Sequence, residues 1–137
     1  MPAVNGALTA GALARLYGAL ANGGQEPGGP RLLAATTVRE LGRVQVRTRD
    51  AVLGIGMRWR LGYHQAFGAG RDASKAFGHY GYGGSGGWAD PSNGLSVGFV
   101  TNRIGSLTTP LGDLNLFRLN RVVSECLKAS RSMTFAK

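Results

Sequence analysis

Phe77-Gly78-His79-Tyr80-Gly81-Tyr82-Gly83-Gly84-Ser85-Gly86-Gly87-Trp88-Ala89-Asp90-Pro91 leads through Ser92 and Asn93 into Gly94-Leu95-Ser96-Val97-Gly98-Phe99-Val100-Thr101-Asn102. The aromatic run Ala76 to Tyr82 and the β-branched, apolar run Leu95 to Thr101 are short and bounded by glycine, the pattern of strands joined by turns. Asp90-Pro91-Ser92-Asn93-Gly94 between them has the composition of a hairpin turn. Upstream, Met57 to Phe67 alternates loosely through Trp59, Leu61 and Tyr63 and reads as a third strand. These connections are too short for a crossover helix, so an antiparallel meander of about three strands is expected.

Helical spacing brackets this region. Leu13, Leu16, Tyr17 and Leu20 recur at three and four within Thr9 to Ala21, and Gly23-Gly24 stops that helix. Thr37-Val38-Arg39-Glu40 has the spacing of a capping box and predicts a short helix over Ala35 to Arg43. Asp113 offers an N-cap to a closing helix whose stripe is Leu116, Leu119, Val122, Val123, Cys126 and Leu127, with Lys128 and Arg131 complementing its C-terminal dipole. The order predicts an α+β unit, an antiparallel sheet flanked by helices with one face covered.

Length and composition allow one domain. The chain has 137 residues, 43% hydrophobic and 17% charged, both within the globular range. Its 23 glycines punctuate apolar runs without a fixed period, which excludes collagen and repeat architectures. The formal charge of +9 raises the question of a polyanionic partner. The arginines are spread over most of the chain with no run of like charge, which argues against a nucleic-acid footprint. A single cysteine, Cys126, cannot form an internal disulfide, and within an apolar pattern it is expected to pack as a small hydrophobe. No run of about 18 apolar residues is present and the first residues lack a signal-peptide pattern, so a soluble, cytoplasmic chain without a membrane span is expected.

Gly83-Gly84-Ser85-Gly86-Gly87 matches the G-x-S-x-G nucleophile elbow, but its context does not. An elbow leads from strand to helix and needs a histidine after the serine. Here a turn and a strand follow, and both His64 and His79 precede Ser85. Two histidines fifteen residues apart, with no carboxylate at ligand spacing, give no metal site. His64 reads as a structural residue, and neither a P-loop nor a dinucleotide fingerprint is present.

The glycine-rich stretch quoted above resembles the last third of β-lactamase-related serine hydrolases and esterases, in the superfamily of β-lactamases and penicillin-binding proteins. There an F-G-H-x-G element stands where penicillin-binding enzymes carry K-T-G. Arg58-Trp59-Arg60-Leu61-Gly62-Tyr63 resembles the family's R-W-G-L-G-F strand, with Arg60 replacing glycine, and Pro2 to Gly6 with Gly11 to Gly24 resembles the preceding helix. The resemblance implies that residues 1–130 are a C-terminal portion of a β-lactamase-related domain with a partial β-lactamase/transpeptidase-like fold, and that 131–137 are a tail. It places the third motif on His79, Tyr80 and Gly81, with Tyr82 offering its backbone N–H to the oxyanion. Tyr80 departs from the small residue usual at its position.

The family's S-x-x-K and Y-x-N or Y-x-S motifs do not occur here. Ser74, Ser85, Ser92, Ser96, Ser106 and Ser124 all lack Lys three residues on, and Tyr17, Tyr63, Tyr80 and Tyr82 lack Asn or Ser two residues on. No residue of this chain is therefore expected to be the nucleophile, which would lie upstream of Met1. No metal or cofactor is implied. The implied function is one wall of an acyl-transfer cleft, inactive alone, whose parent hydrolyses a small ester or amide and whose partner is the missing N-terminal half. The alternative is a basic module that stacks nucleic acid on Trp59, Tyr63, Tyr80, Tyr82 and Trp88.

Overall fold

Thr9 accepts the Ala12 amide N–H on its hydroxyl at 3.1 Å and opens α1, Ala10–Ala21. The computed structural model describes residues 6–66, 74–103 and 114–134. The chain leaves α1 through Gly23 and Gly24, both at positive φ, and the Gly24 N–H closes on the Ala19 carbonyl at 2.7 Å. Tyr17 and Leu20 are buried as their spacing predicts, whereas Leu16 is 45% exposed.

The second helix, α2, is Ala35–Gly42. Its N-cap is Ala34, with no side-chain cap, so the expected capping box does not form. The helix begins two residues before Thr37, which is therefore already inside it, and Glu40 pairs with Arg43 at 3.4 Å instead. Val38 is the residue this helix buries.

Six strands follow where about three were expected: β1 (Val46–Arg49), β2 (Gly56–Trp59), β3 (His64–Gln65), β4 (Phe77–Tyr80), β5 (Gly86–Asp90) and β6 (Leu95–Phe99). They form one antiparallel sheet in sequence order. The run from Met57 divides because Arg60 to Tyr63 make a tight turn, with Gly62 at positive φ and the Arg60 N–H on the Tyr63 carbonyl. Phe67 lies outside the described residues. β1 is exposed at every position and carries Arg47 and Arg49, so no apolar alternation announces it. β5 opens with two glycines but is held by five partners on β6. The hairpin at Asp90–Gly94 forms as predicted, the Asp90 carboxylate accepting the Ser92 N–H at 2.9 Å and Gly94 supplying positive φ.

Adjacent residues on β5 separate the two sides of the sheet, because the pleat alternates. Ala89 joins Phe77, Tyr17, Leu20, Ala21 and Val38 beneath α1 and α2. Trp88 joins Ala66 and Ala76, with Tyr80, Leu95, Val97 and Val123 packed around them. Both sides are thus covered, not one. Full burial of a side chain such as Phe77 is worth about 1.5–3 kcal/mol. Glycine sets the distance on the α1 side: a Cβ at Gly98 would lie 2.6 Å from the Ala10 carbonyl oxygen and 2.7 Å from the Ala14 nitrogen. Ser96 beside it donates its hydroxyl to the Ala14 carbonyl at 2.9 Å.

The last helix, α3, spans Asn115–Thr134. Asp113, the expected N-cap, and the Arg131 side chain lie outside what is described. The buried line on α3 is Leu116 and Asn120, with Val123 half-buried, whereas Val122 is 56% exposed and Cys126 is exposed. The stripe is therefore narrower than predicted, and Cys126 does not pack as a core residue. No described helix is long and apolar enough to cross a membrane.

Candidate active site

β4 ends in the turn that carries the predicted site residues. The Gly81 N–H donates to the Ser85 carbonyl at 2.8 Å, and the Gly84 N–H returns to the Gly81 carbonyl at 2.9 Å. A Cβ on Gly81 would stand 2.7 Å from the Ser85 oxygen, so the turn itself requires glycine there. Tyr82 rides on this turn, half exposed.

His79, Tyr80 and Tyr82 border a cavity of 340 Å³ whose other walls are Asp50, Val52, Leu53 and Ile55 from the β1–β2 loop, Met57 and Trp59 from β2, His64, and Phe117 from α3. This is a mostly apolar cleft with a few polar groups along one edge, the usual make-up of a small-molecule site. Asp50 accepts the N–H groups of Val52 and Leu53 at 2.9 and 2.8 Å, which shape the loop and hold its carboxyl below the usual range.

The two imidazoles lie 5.6 Å apart, centroid to centroid. Desolvation lowers the pKa of both, so each is neutral around pH 7. His79 is the more exposed of the two and, when neutral, offers both a donor and an acceptor. His64 is 4% exposed. Its Nε2 accepts the Tyr80 N–H at 3.1 Å and its Nδ1 lies 2.8 Å from the Gln65 carbonyl. Since a backbone N–H can only donate, Nε2 carries no proton and Nδ1 does. Left buried and unpaired, the Tyr80 N–H would cost about 1–3 kcal/mol.

The phenol of Tyr80 is fixed as well. Asn120 donates to its oxygen at 2.6 Å and accepts the Trp88 indole N–H at 2.7 Å, joining α3 to β4 and β5. Phe117 stacks edge-on against the Tyr80 ring at 5.0 Å. On the α1 side the Tyr17 hydroxyl reaches the His79 backbone, and burial drives its pKa well above the ordinary tyrosine range, so it is a phenol and no base.

Ser85 is positioned otherwise. Its Oγ accepts the Thr101 N–H at 3.1 Å, it precedes a strand and not a helix, and it is absent from the cavity walls. Arg60 is 6% exposed, lies over the Phe77 ring at 5.6 Å, and donates to the carbonyls of Gly42 and Ser74. Among the described residues no three His, Cys, Asp or Glu side chains converge as a metal site.

The aromatics proposed for nucleic-acid stacking do not form a platform. Trp88 is fully buried, and Tyr63 packs against Tyr17 and Phe77 at 6.1 and 5.4 Å. Arg15, Arg43 and Arg121 are paired with Glu26, Glu40 and Glu125.

An antiparallel sheet with helices on both sides is an α+β architecture that this chain shares with β-lactamase-like solved structures. The chain belongs to the β-lactamase family, whose model matches residues 1–118. It is 41% identical over 126 residues to the esterase/β-lactamase LipL of Mycobacterium tuberculosis strain ATCC 25618 / H37Rv, an alignment covering 88% of this chain and 28% of that protein. Among solved structures, a penicillin-binding-protein homologue from Caulobacter crescentus matches with a TM-score of 0.72 and 36% identity, over 88% of this chain and 31% of its own. A family VIII carboxylesterase matches with a TM-score of 0.69 and 38% identity, over 80% of this chain and 29% of its own. The chain thus spans less than a third of each of these relatives.

The residues that the sequence did not place at the site are His64, which it read only as structural, Asn120 and the β1–β2 loop. Asn120 had a usable signal, since it stands four residues from Leu116 and three from Val123 on an apolar stripe. His64 had none, because its role depends on where β3 ends.

Proposed function

We propose that this chain supplies the third-motif wall of a serine-hydrolase cleft that cleaves a small ester or amide through an acyl-enzyme, and that the attacking serine is not among its residues. The observation that carries this reading is the cleft edge itself, where His79, Tyr80 and Tyr82 meet an apolar cavity of 340 Å³ at the end of β4. A serine Oγ from a complementary S-x-x-K segment attacks the acyl carbon, and the carbonyl oxygen takes up negative charge. The Tyr82 backbone N–H donates to that oxygen, a contact that strengthens as charge develops. The leaving alcohol or amine departs, and water then releases the acid from the serine ester. Neutral His79 contributes a hydrogen bond at the cleft edge.

A chimera tests the reading. In the 41%-identical M. tuberculosis relative, the aligned 126 residues are replaced by those of this chain. The chimera is expected to hydrolyse a short nitrophenyl ester. His79→Ala in it should lower kcat/KM by about 10- to 100-fold, within the range for loss of one positioned polar group. A folded chimera without turnover, or one indifferent to His79, contradicts the proposal.

A further inference from the structure

The pairing pattern of β4 leaves one N–H pointing at a strand that has already ended. Gly81 bonds across to Ser85 on the β5 side, so by antiparallel alternation the Tyr80 N–H points the other way, toward β3. β3 has only two residues, and its pairing with β4 stops at His64 opposite Gly78. Beyond it the chain has turned at Arg60 to Tyr63, and no backbone carbonyl of β3 continues the ladder past that point. The imidazole of His64 takes that place, its Nε2 accepting the Tyr80 N–H at 3.1 Å.

We propose that His64 is a positioning residue for the cleft: as the neutral Nδ1–H tautomer it substitutes for a strand carbonyl and holds the His79-Tyr80-Gly81 edge in place, and protonation releases that edge. Protonation turns Nε2 from acceptor into donor, facing an N–H that can only donate, and that bond is lost. Nδ1 keeps its contact with the Gln65 carbonyl in either state. Ring packing with Trp59 at 5.9 Å and Tyr80 at 5.1 Å keeps the imidazole where this exchange is felt.

Among the described residues, the titratable and charged groups around His64 are few. On β4 they are His79 and Tyr80; on the following turn, Tyr82; on the β1–β2 loop, Asp50; all share its cavity. On β2, Arg58 reaches the neighbouring Gln65 side chain at 3.0 Å. From α3 the cavity receives Phe117, which does not ionise. Burial opposes a charge on His64 most strongly, the Gln65 carbonyl at Nδ1 favours one, and the neighbouring His79 adds to the opposition. The switch therefore belongs to the mildly acidic range, below the ordinary histidine value of about 6.5.

This inference rests on the cleft reading for its functional consequence, but not for its structural test. In the 137-residue chain, nitrogen-15 NMR follows the His64 ring and the Tyr80 amide from pH 8 to pH 5. The expected result is an Nδ1–H tautomer at pH 8 and a Tyr80 amide whose shift titrates with the His64 ring. His64→Gln, which keeps an acceptor that does not titrate, should flatten that response. His64→Phe, which removes the acceptor, should speed exchange of the Tyr80 amide by at least about tenfold. A Tyr80 amide indifferent to the His64 titration overturns the proposal even if no variant folds.

In the chimera, the acid limb of kcat should be present with His64 and absent with His64→Gln. An active chimera whose acid limb ignores His64 overturns the positioning role and leaves the cleft reading intact. A chimera inactive at every pH, alongside a Tyr80 amide that does follow His64, overturns the cleft reading and supports the local device.

Discussion

Asn120 shows how much one buried polar side chain decides here. Trp88 is completely buried, and its indole N–H would be stranded without the Asn120 oxygen, as would part of the anchoring of the Tyr80 phenol. Asn120→Leu fits the apolar surroundings but removes both bonds, and it should lower the stability of the chain by about 2–3 kcal/mol in urea unfolding. The pH dependence of stability follows from the two histidines. Burial lowers the folded pKa of each, so the unfolded chain binds more protons just below the ordinary value of about 6.5. The stability they give is complete above that value and is lost as pH falls toward their folded values. Thermal unfolding between pH 7.5 and 5 should show this decline, and His64→Gln should reduce it more than His79→Gln, because His64 is the more buried. The family resemblance pointed in the sequence to His79, Tyr80, Gly81 and Tyr82, of which His79, Tyr80 and Tyr82 line the cleft. The tautomer of His64 could not be read there, since it is dictated by an amide sixteen residues away.

At the level of elements, glycine governs how closely α1 meets the sheet. Gly98→Ala puts a methyl group against the backbone of Ala10 and Ala14, which cannot rotate away, and should cost about 1–3 kcal/mol. Gly56→Ala at the start of β2 meets nothing within 4 Å and should be neutral or slightly stabilising, so the pair of variants separates crowding from propensity in one unfolding series. The same physics explains which elements could be read in advance. α1 and the Asp90–Gly94 hairpin are local in origin, set by helical spacing and turn chemistry, and both form where predicted. β1 and β5 are not local: an exposed arginine strand and a glycine-led strand have low propensity and exist because neighbouring strands pair with them. The capping box failed for a related reason, since the chain entering from Leu33 and Ala34 starts α2 before its best capping residue.

For the molecule as a whole, family and α+β architecture follow from residues in view, whereas the proposed activity draws on a serine from outside these residues. It contributes a shaped, mostly apolar cleft with neutral imidazoles at its edge, and spans 28% of the esterase/β-lactamase it resembles at 41% identity. On the proposed function this wall holds no nucleophile of its own. The direct measurement is intact-mass analysis of the folded 137-residue chain after incubation with a fluorophosphonate, which marks activated serines. No adduct is expected, because Ser85 accepts the Thr101 N–H and has no place in the cavity wall. A stoichiometric adduct that maps to Ser85 and disappears in Ser85→Ala would contradict the proposed function.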